Sequence, residues 1–362
     1  ALGEFQRQFP DSENAPQAAF MQIMNQLDNE PDERAMTTLR AIEPGTANYH
    51  RALFEICRLS HRMWSEASEE ETRQARAIET LSAAEESLAE DFPDDADSGA
   101  AARYVRICLL AAYVCLQQDA VTDADGWLRR CENWMAGMAT RDIGSDFHFL
   151  QMNIAARQSD DDRESMASQW LLRNTSNITH LRAALVSQAR LLDRQLAQTV
   201  QTGGTADPRQ LDLVIDAYQR LVDEYSPDDT ALSSDNVART ALFRLAELQM
   251  QSGRYEQARN SYSRLHRAMP DQLAFVSGLA MAEMREGNLR TAARHWRTIA
   301  SGFSPGSETW LDAKYHLILC LADHQVDNAK AVLQQVQVLV PDLPPAWQQP
   351  FEELRSRMAD MP

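Results

Sequence analysis

The sequence predicts an all-α chain: a right-handed superhelical α-solenoid of about eight helix-turn-helix pairs, closed by a C-terminal capping helix. Three observations carry this expectation. The 362 residues include only 13 Gly and 14 Pro, with long stretches rich in Ala, Leu, Arg, Gln and Glu, all good helix formers. Apolar residues recur on one helical face, as at Leu181, Leu185, Ala189 and Leu192. Near the C-terminus the chain repeats itself every 34 residues, with Gly253/Gly287, Ala258/Ala292 and Tyr262/Trp296 in matching places.

Taken in order, Ala1, Phe5 and Pro10 recur as Ala35, Leu39 and Pro44, which reads Ala1 to Phe9 as a second helix whose partner lies upstream. A long first helix from Ala47 to Trp64 pairs with a second one ending at Phe92-Pro93. Next come 98–118 with 123–139, then 145–158 with 162–173. A helix from Thr179 to Val200 pairs with one ending at Ser226-Pro227, and TGGTADP at 202–208 connects them. On this reading 1–200 is irregular, 209–343 is regular, and 344–362 is the cap that Pro344, Pro345 and Trp347 begin and Met361 ends. One continuous stack is expected.

The regular repeats have a physical logic. Gly253 and Gly287 permit the tight turn after a first helix. Ala258, Ala292 and Ala329 let two helix backbones approach closely. Four residues further on, Tyr262, Trp296 and Leu333 lie on the same face and fill the gap to the neighbouring pair. Pro270, Pro305 and Pro341 then end the second helix, lacking an amide donor. Leu242, Leu245 and Ala246, followed by Val276, Leu279 and Ala280, hold a large-large-small pattern in the first helices.

These spacings resemble the tetratricopeptide repeat. The stretch FPDSENAPQAAF, from Phe9 to Phe20, further resembles repeat junctions of bacterial cell-envelope members, including the periplasmic tol-pal coordinator and the outer-membrane assembly lipoproteins. That similarity implies a periplasmic or envelope location. The family resemblance also implies a concave groove lined by first helices, which carries onto Phe243, Glu247 and Met250, then Ser277, Met281 and Met284, then Lys314 and Ile318. Methionine offers an adaptable surface to an apolar peptide. The Lys, Arg and Asn cluster that clamps a C-terminal carboxylate in chaperone-binding members is not evident.

A formal charge of −18, from 53 acidic against 35 basic residues, opposes nucleic-acid and acidic-lipid binding. Lys occurs only at Lys314 and Lys330, so nearly all cations are Arg. The most apolar run, Ile107 to Leu116, is about half of the ~20 residues needed to span a bilayer and reads as a buried helix. Five widely spaced Cys form no disulfide framework and read as buried thiols.

Several local patterns mimic catalytic or metal sites. In VTDADGWLRRCE, Asp123, Asp125 and Glu132 fit positions of a calcium loop, but Val121 occupies the first ligand position and Arg129 the ninth. Thr122 or Asp123 as the cap of a helix beginning near Asp125 is the simpler reading. GFSPG places Ser304 in a G-x-S-x-G string without the preceding strand that a nucleophile elbow needs. His50, Cys57 and His61 share a helical face with Phe54 and read as partly buried side chains. The acidic runs Asp94, Asp95, Asp97 and Asp160 to Asp162 read as solvated caps, and Trp64, Trp127, Trp134, Trp170 and Trp296 as core. Asn174-Thr175-Ser176 and Asn177-Ile178-Thr179 form glycosylation sequons of consequence only in a eukaryotic secretory route.

No complete catalytic constellation, metal site or cofactor motif is present in this reading. The expected function is a non-catalytic scaffold that binds a protein or peptide in its groove, with no nucleic acid and no membrane span. The alternative is a regulatory or targeting module of a larger enzyme whose catalytic domain lies upstream. The C-terminal helix could also fold into the groove. The sequence specifies no oligomeric state.

Overall fold

The computed structural model describes residues 4, 8, 9, 12, 15–27, 32–46, 48–88, 98–135, 141–204, 207–225, 229–322 and 324–359. Eighteen helices and no strand occur among them. The chain divides into two compact units, Ala1–Ser187 and Gln188–Pro362, each an α-solenoid stack.

The first unit contains α1 (Ala15–Leu27), α2 (Asp32–Arg40), α3 (Tyr49–Glu66), α4 (Glu70–Leu88), α5 (Ser98–Gln117), α6 (Val121–Met135), α7 (Arg141–Gln158), α8 (Asp161–Asn174) and the N-terminal part of α9 (Ile178–Gln201). Two first helices pack both on their own partner and on the next first helix: α3 meets α4 and α5, and α5 meets α6 and α7. Second helices α4 and α6 also touch the first helix of the following pair. Small residues permit these approaches: Ala84, Ala111, Ala112 and Ala124 are all 0% exposed. Cys57, Leu59, Cys108, Leu128 and Ile154 fill the space they leave. Leu59, Leu128 and Ile154 each stabilise the fold by about 1.5–3 kcal/mol on burial.

One turn recurs. After α5, Asp119 adopts φ 61° and Ala120 N donates to Cys115 O at 2.9 Å. After α7, Ser159 adopts φ 59° and Asp160 N donates to Ala155 O at 2.9 Å. The second unit repeats it with glycine: Gly253 at 75° with Arg254 N to Gln249 O at 2.8 Å, and Gly287 at 94° with Asn288 N to Glu283 O at 2.8 Å. A left-handed residue followed by this long backbone bond reverses the chain between the helices of a pair.

The second unit holds the rest of α9, then α10 (Pro208–Tyr225), α11 (Thr230–Ser234), α12 (Asn236–Gln251), α13 (Tyr255–Ala268), α14 (Leu273–Glu286), α15 (Leu289–Ser301), α16 (Glu308–Ala322), α17 (Val326–Leu339) and α18 (Pro345–Ala359). From α12 onward each helix packs on the next. The capping helix α18 packs on α16 and α17, where Phe351, Leu354 and Met358 are buried. Trp347 and Phe351 both lie 5.9 Å from Tyr315, ring to ring. It therefore takes the place a further first helix would occupy in the stack.

One local expectation needs correction: helix α6 begins at Val121, so Thr122 and Asp123 lie in its first turn and do not cap a helix that begins near Asp125. The short helix α11, entered from Asp229, adds an element that the sequence analysis does not contain. Most of the proposed opening helix, the ends at Phe92-Pro93 and Ser226-Pro227, the acidic run 94–97 and Met361 lie outside the described residues.

Candidate functional site

Ala258, Ala292 and Ala329 are 0% exposed, Tyr262 and Trp296 are buried, and Pro270, Pro305 and Pro341 follow helix ends at the surface. Each aromatic reaches the next first helix. A Cβ placed on Gly278 of α14 would come within 2.3 Å of Tyr262, and Trp296 stacks on His316 of α16 at 4.7 Å.

On the first helices of the second unit, Phe243, Glu247 and Met250 of α12 and Ser277, Met281 and Met284 of α14 are all half-buried. The Phe243 ring lies 5.5 Å from Phe275 and 6.1 Å from Tyr262. Glu247 pairs with Arg244 at 2.9 Å, and Arg244 also grips Asp193 with two bonds of 2.8 Å. Lys314 and Ile318 do not belong to this surface. Ile318 is 0% exposed, and Lys314 lies over Trp310 and donates to Gln335 Oε1 of α17 at 2.8 Å. The physical cause is that α15, α17 and α18 enclose α16.

The first unit offers a better-formed surface. A cleft of about 420 Å³ is lined by Phe54 and His61 of α3, Leu110 and Tyr113 of α5, Phe149 of α7 and His180 of α9, so four successive first helices contribute. Its floor is apolar, completed by Leu109, Ile143 and Leu150. Its rim is charged: Arg58 and Arg106 on α3 and α5, Asp146 on α7. Sequence reasoning missed this surface, although Phe54, Arg58 and His61 share the helical spacing of Arg106, Leu110 and Tyr113.

Polar groups around the cleft are partly committed. Glu55 Oε2 accepts from Arg58 Nε at 2.7 Å. Exposed Arg106 has no ion pair among the described residues. His180 stacks on Phe149 at 4.3 Å, with its Nδ1 2.8 Å from Ser145 Oγ, which in turn lies 2.6 Å from Thr175 Oγ1. Burial pushes His180 below its ordinary range, and Asp146, 3.9 Å away, partly offsets this. Burial likewise lowers His61, which sits 5.8 Å from Tyr113 and 5.3 Å from Trp64, ring to ring; its buried Nε2 has no hydrogen-bond partner.

The other candidates are accounted for locally. Asp125 binds Arg163 at 2.6 Å and Arg129 at 2.9 Å, so its oxygens already face guanidinium groups. Ser304 lies in the turn between α15 and α16, with helix on both sides. Cys57 is buried whereas His50 is exposed, so the His50, Cys57, His61 row does not converge. Asp160 caps α8 by accepting from Arg163 N at 3.0 Å. Asn177 Oδ1 similarly accepts from Thr179 N at the start of α9 at 3.0 Å. All five cysteines are buried free thiols; burial raises Cys57 to about 12 and Cys320 to about 11. Among the described residues no group of three metal-binding side chains occurs, and no helix is long and apolar enough to cross a membrane.

Residues 240–271 match the family model of the tetratricopeptide repeat, so the chain carries such a repeat there. No curated protein matches the sequence. Among solved structures, a tetratricopeptide repeat protein from Parabacteroides merdae ATCC 43184 is 10% identical with a TM-score of 0.38, over 83% of this chain and 99% of that one. The structure of Naa15/Naa10 bound to HypK-THB is 14% identical with a TM-score of 0.45; the match covers 93% of this chain but 45% of that one. The P58(IPK) TPR domain is 12% identical with a TM-score of 0.27, over 99% and 97% of the two chains.

Proposed function

We propose that this chain is a non-catalytic interaction module that holds a segment of a partner polypeptide against its first helices, with the cleft of the first unit as the main seat. The observation that supports this is the cleft's construction. Four consecutive first helices each supply an aromatic or imidazole ring to an apolar hollow with a charged rim. Apolar anchors that leave water in such a hollow supply most of the binding energy, while the rim selects. The half-buried row Phe243, Glu247, Met250, Ser277, Met281 and Met284 is a second surface of the same kind in the second unit. A tetratricopeptide-type stack suits this role because adjacent pairs present equivalent helix faces side by side.

Selection of a random peptide display library on the immobilised full chain tests the reading. Selected peptides are expected to bind the parent chain and to lose at least roughly tenfold affinity on Leu110→Arg, a cation placed in the apolar floor. Circular dichroism checks that the variant is folded. Equal binding to the parent and a folded variant contradicts the cleft as the seat.

A further inference from the structure

We infer that the first unit's cleft takes a peptide segment carrying an internal acidic side chain beside an aliphatic or aromatic anchor, with the anchor in the hollow and the carboxylate on Arg106. This deepens the proposed function and rests on it.

The argument is one of charge complementarity inside an acidic protein. The chain carries a net charge of −18, and half-buried guanidinium groups such as Arg163, Arg244 and Arg264 have carboxylate partners. Arg106 is exposed at the rim of an apolar hollow and has no ion pair among the described residues. Its neighbour on the rim, Arg58, is engaged by Glu55 at 2.7 Å. One available guanidinium fits one carboxylate with two parallel bonds. His61 and Tyr113 line the same hollow, with their rings 5.8 Å apart.

Asp146 on α7 also lines the cleft, 3.9 Å from His180. The cleft also lacks the cluster of several available cations that a chain terminus, bearing its carboxylate on flexible backbone, needs for tight capture. An internal Asp or Glu next to an anchor is the chemistry that matches one free guanidinium and an apolar floor.

The test uses the full chain and three sets of acetylated, amidated decapeptides: one with fixed Asp-x-Leu or Asp-x-Phe cores, one with Asn in place of Asp, and one with Lys. Fluorescence polarisation should show the Asp set binding roughly tenfold tighter than the Lys set, with Asn between. The charge-reversing variant Arg106→Glu should invert that order while leaving the far-ultraviolet spectrum unchanged. Arg106→Lys should retain the order with weaker discrimination. Equal affinity for all three sets, an order unchanged in Arg106→Glu, or binding that appears only when the C-terminal amide is replaced by a free carboxylate overturns the inference and leaves the proposed function standing. Absence of binding by every set, together with display-selected peptides insensitive to Leu110→Arg, overturns both.

Discussion

A methyl group on Gly278 would sit 2.3 Å from Tyr262 Cε1, so the ring of α13 rests directly against the backbone of α14. The contact joins one helix pair to the next. Glycine within a helix ordinarily costs about 0.5–1 kcal/mol relative to alanine, and a Gly→Ala change on an open face would stabilise. Here overpacking reverses the sign. Gly278→Ala is expected to destabilise by about 1–3 kcal/mol in urea denaturation. In a Tyr262→Ala background the same change should become neutral or stabilising; equal costs in both backgrounds would refute the contact.

The left-handed turn at Ser159 gives a prediction of opposite sign. A non-glycine residue at φ 59° carries steric strain of about 1 kcal/mol that glycine lacks. Ser159→Gly should therefore raise the urea midpoint, whereas the reverse change Gly287→Ser, at φ 94°, should lower it. Matching losses in both variants would contradict the strain argument.

Asp125 links three charges across α6 and α8. Burial alone would raise its carboxyl, but the hydrogen bond and charge of Arg163, helped by Arg129, hold it below its usual 3.8. A depressed carboxyl contributes stability above its unfolded value and loses it as pH falls through the folded value, so this contribution disappears in the acid limb below about pH 4. Asp125→Asn should flatten that limb. Arg163→Ala, which leaves a carboxylate with 8% side-chain exposure held only by Arg129, should cost about 1–3 kcal/mol at neutral pH. Unchanged acid limbs in Asp125→Asn would exclude the linkage.

Histidines of the first unit act in the same direction at milder pH. Burial pushes His61, His148 and His180 below the usual 6.5, opposed at His148 by Gln151 and at His180 by Asp146. For a base, a lowered folded value means that the unfolded chain binds protons first, so stability falls as pH drops through 6.5 toward the folded values. His148, stacked on Trp170 at 4.2 Å, is the simplest to isolate. His148→Phe keeps a ring there, and urea midpoints at about pH 7.5 and pH 5.5 should then differ less than in the parent chain. An identical difference would remove His148 from the account.

Much of the fold is legible in the sequence because each constraint is local. Gly253 and Gly287 announce their turns, and Ala258 and Ala292 mark close helix contacts four residues before an aromatic. The first unit hides its repeat because Asp119 and Ser159 make the same left-handed turn without glycine. The groove was harder to read. Phe243 and Met281 are found half-buried on their expected helices, whereas Ile318 is sealed because α15, α17 and α18 pack around its helix, which spacing along one chain segment does not reveal. The cleft of the first unit escaped because Phe54, Leu110 and Phe149 look like core on any single helix. Only the arrangement of α3, α5 and α7 leaves a hollow between them.

Hydrogen–deuterium exchange of the full chain, with and without a peptide selected on it, tests the central claim most directly. Protection is expected on α3, α5 and α7, around Phe54 to His61, Arg106 to Tyr113 and Asp146 to Leu150. Protection confined to the second helices α4, α6 and α8 would contradict the assignment of the first-helix cleft as the binding surface.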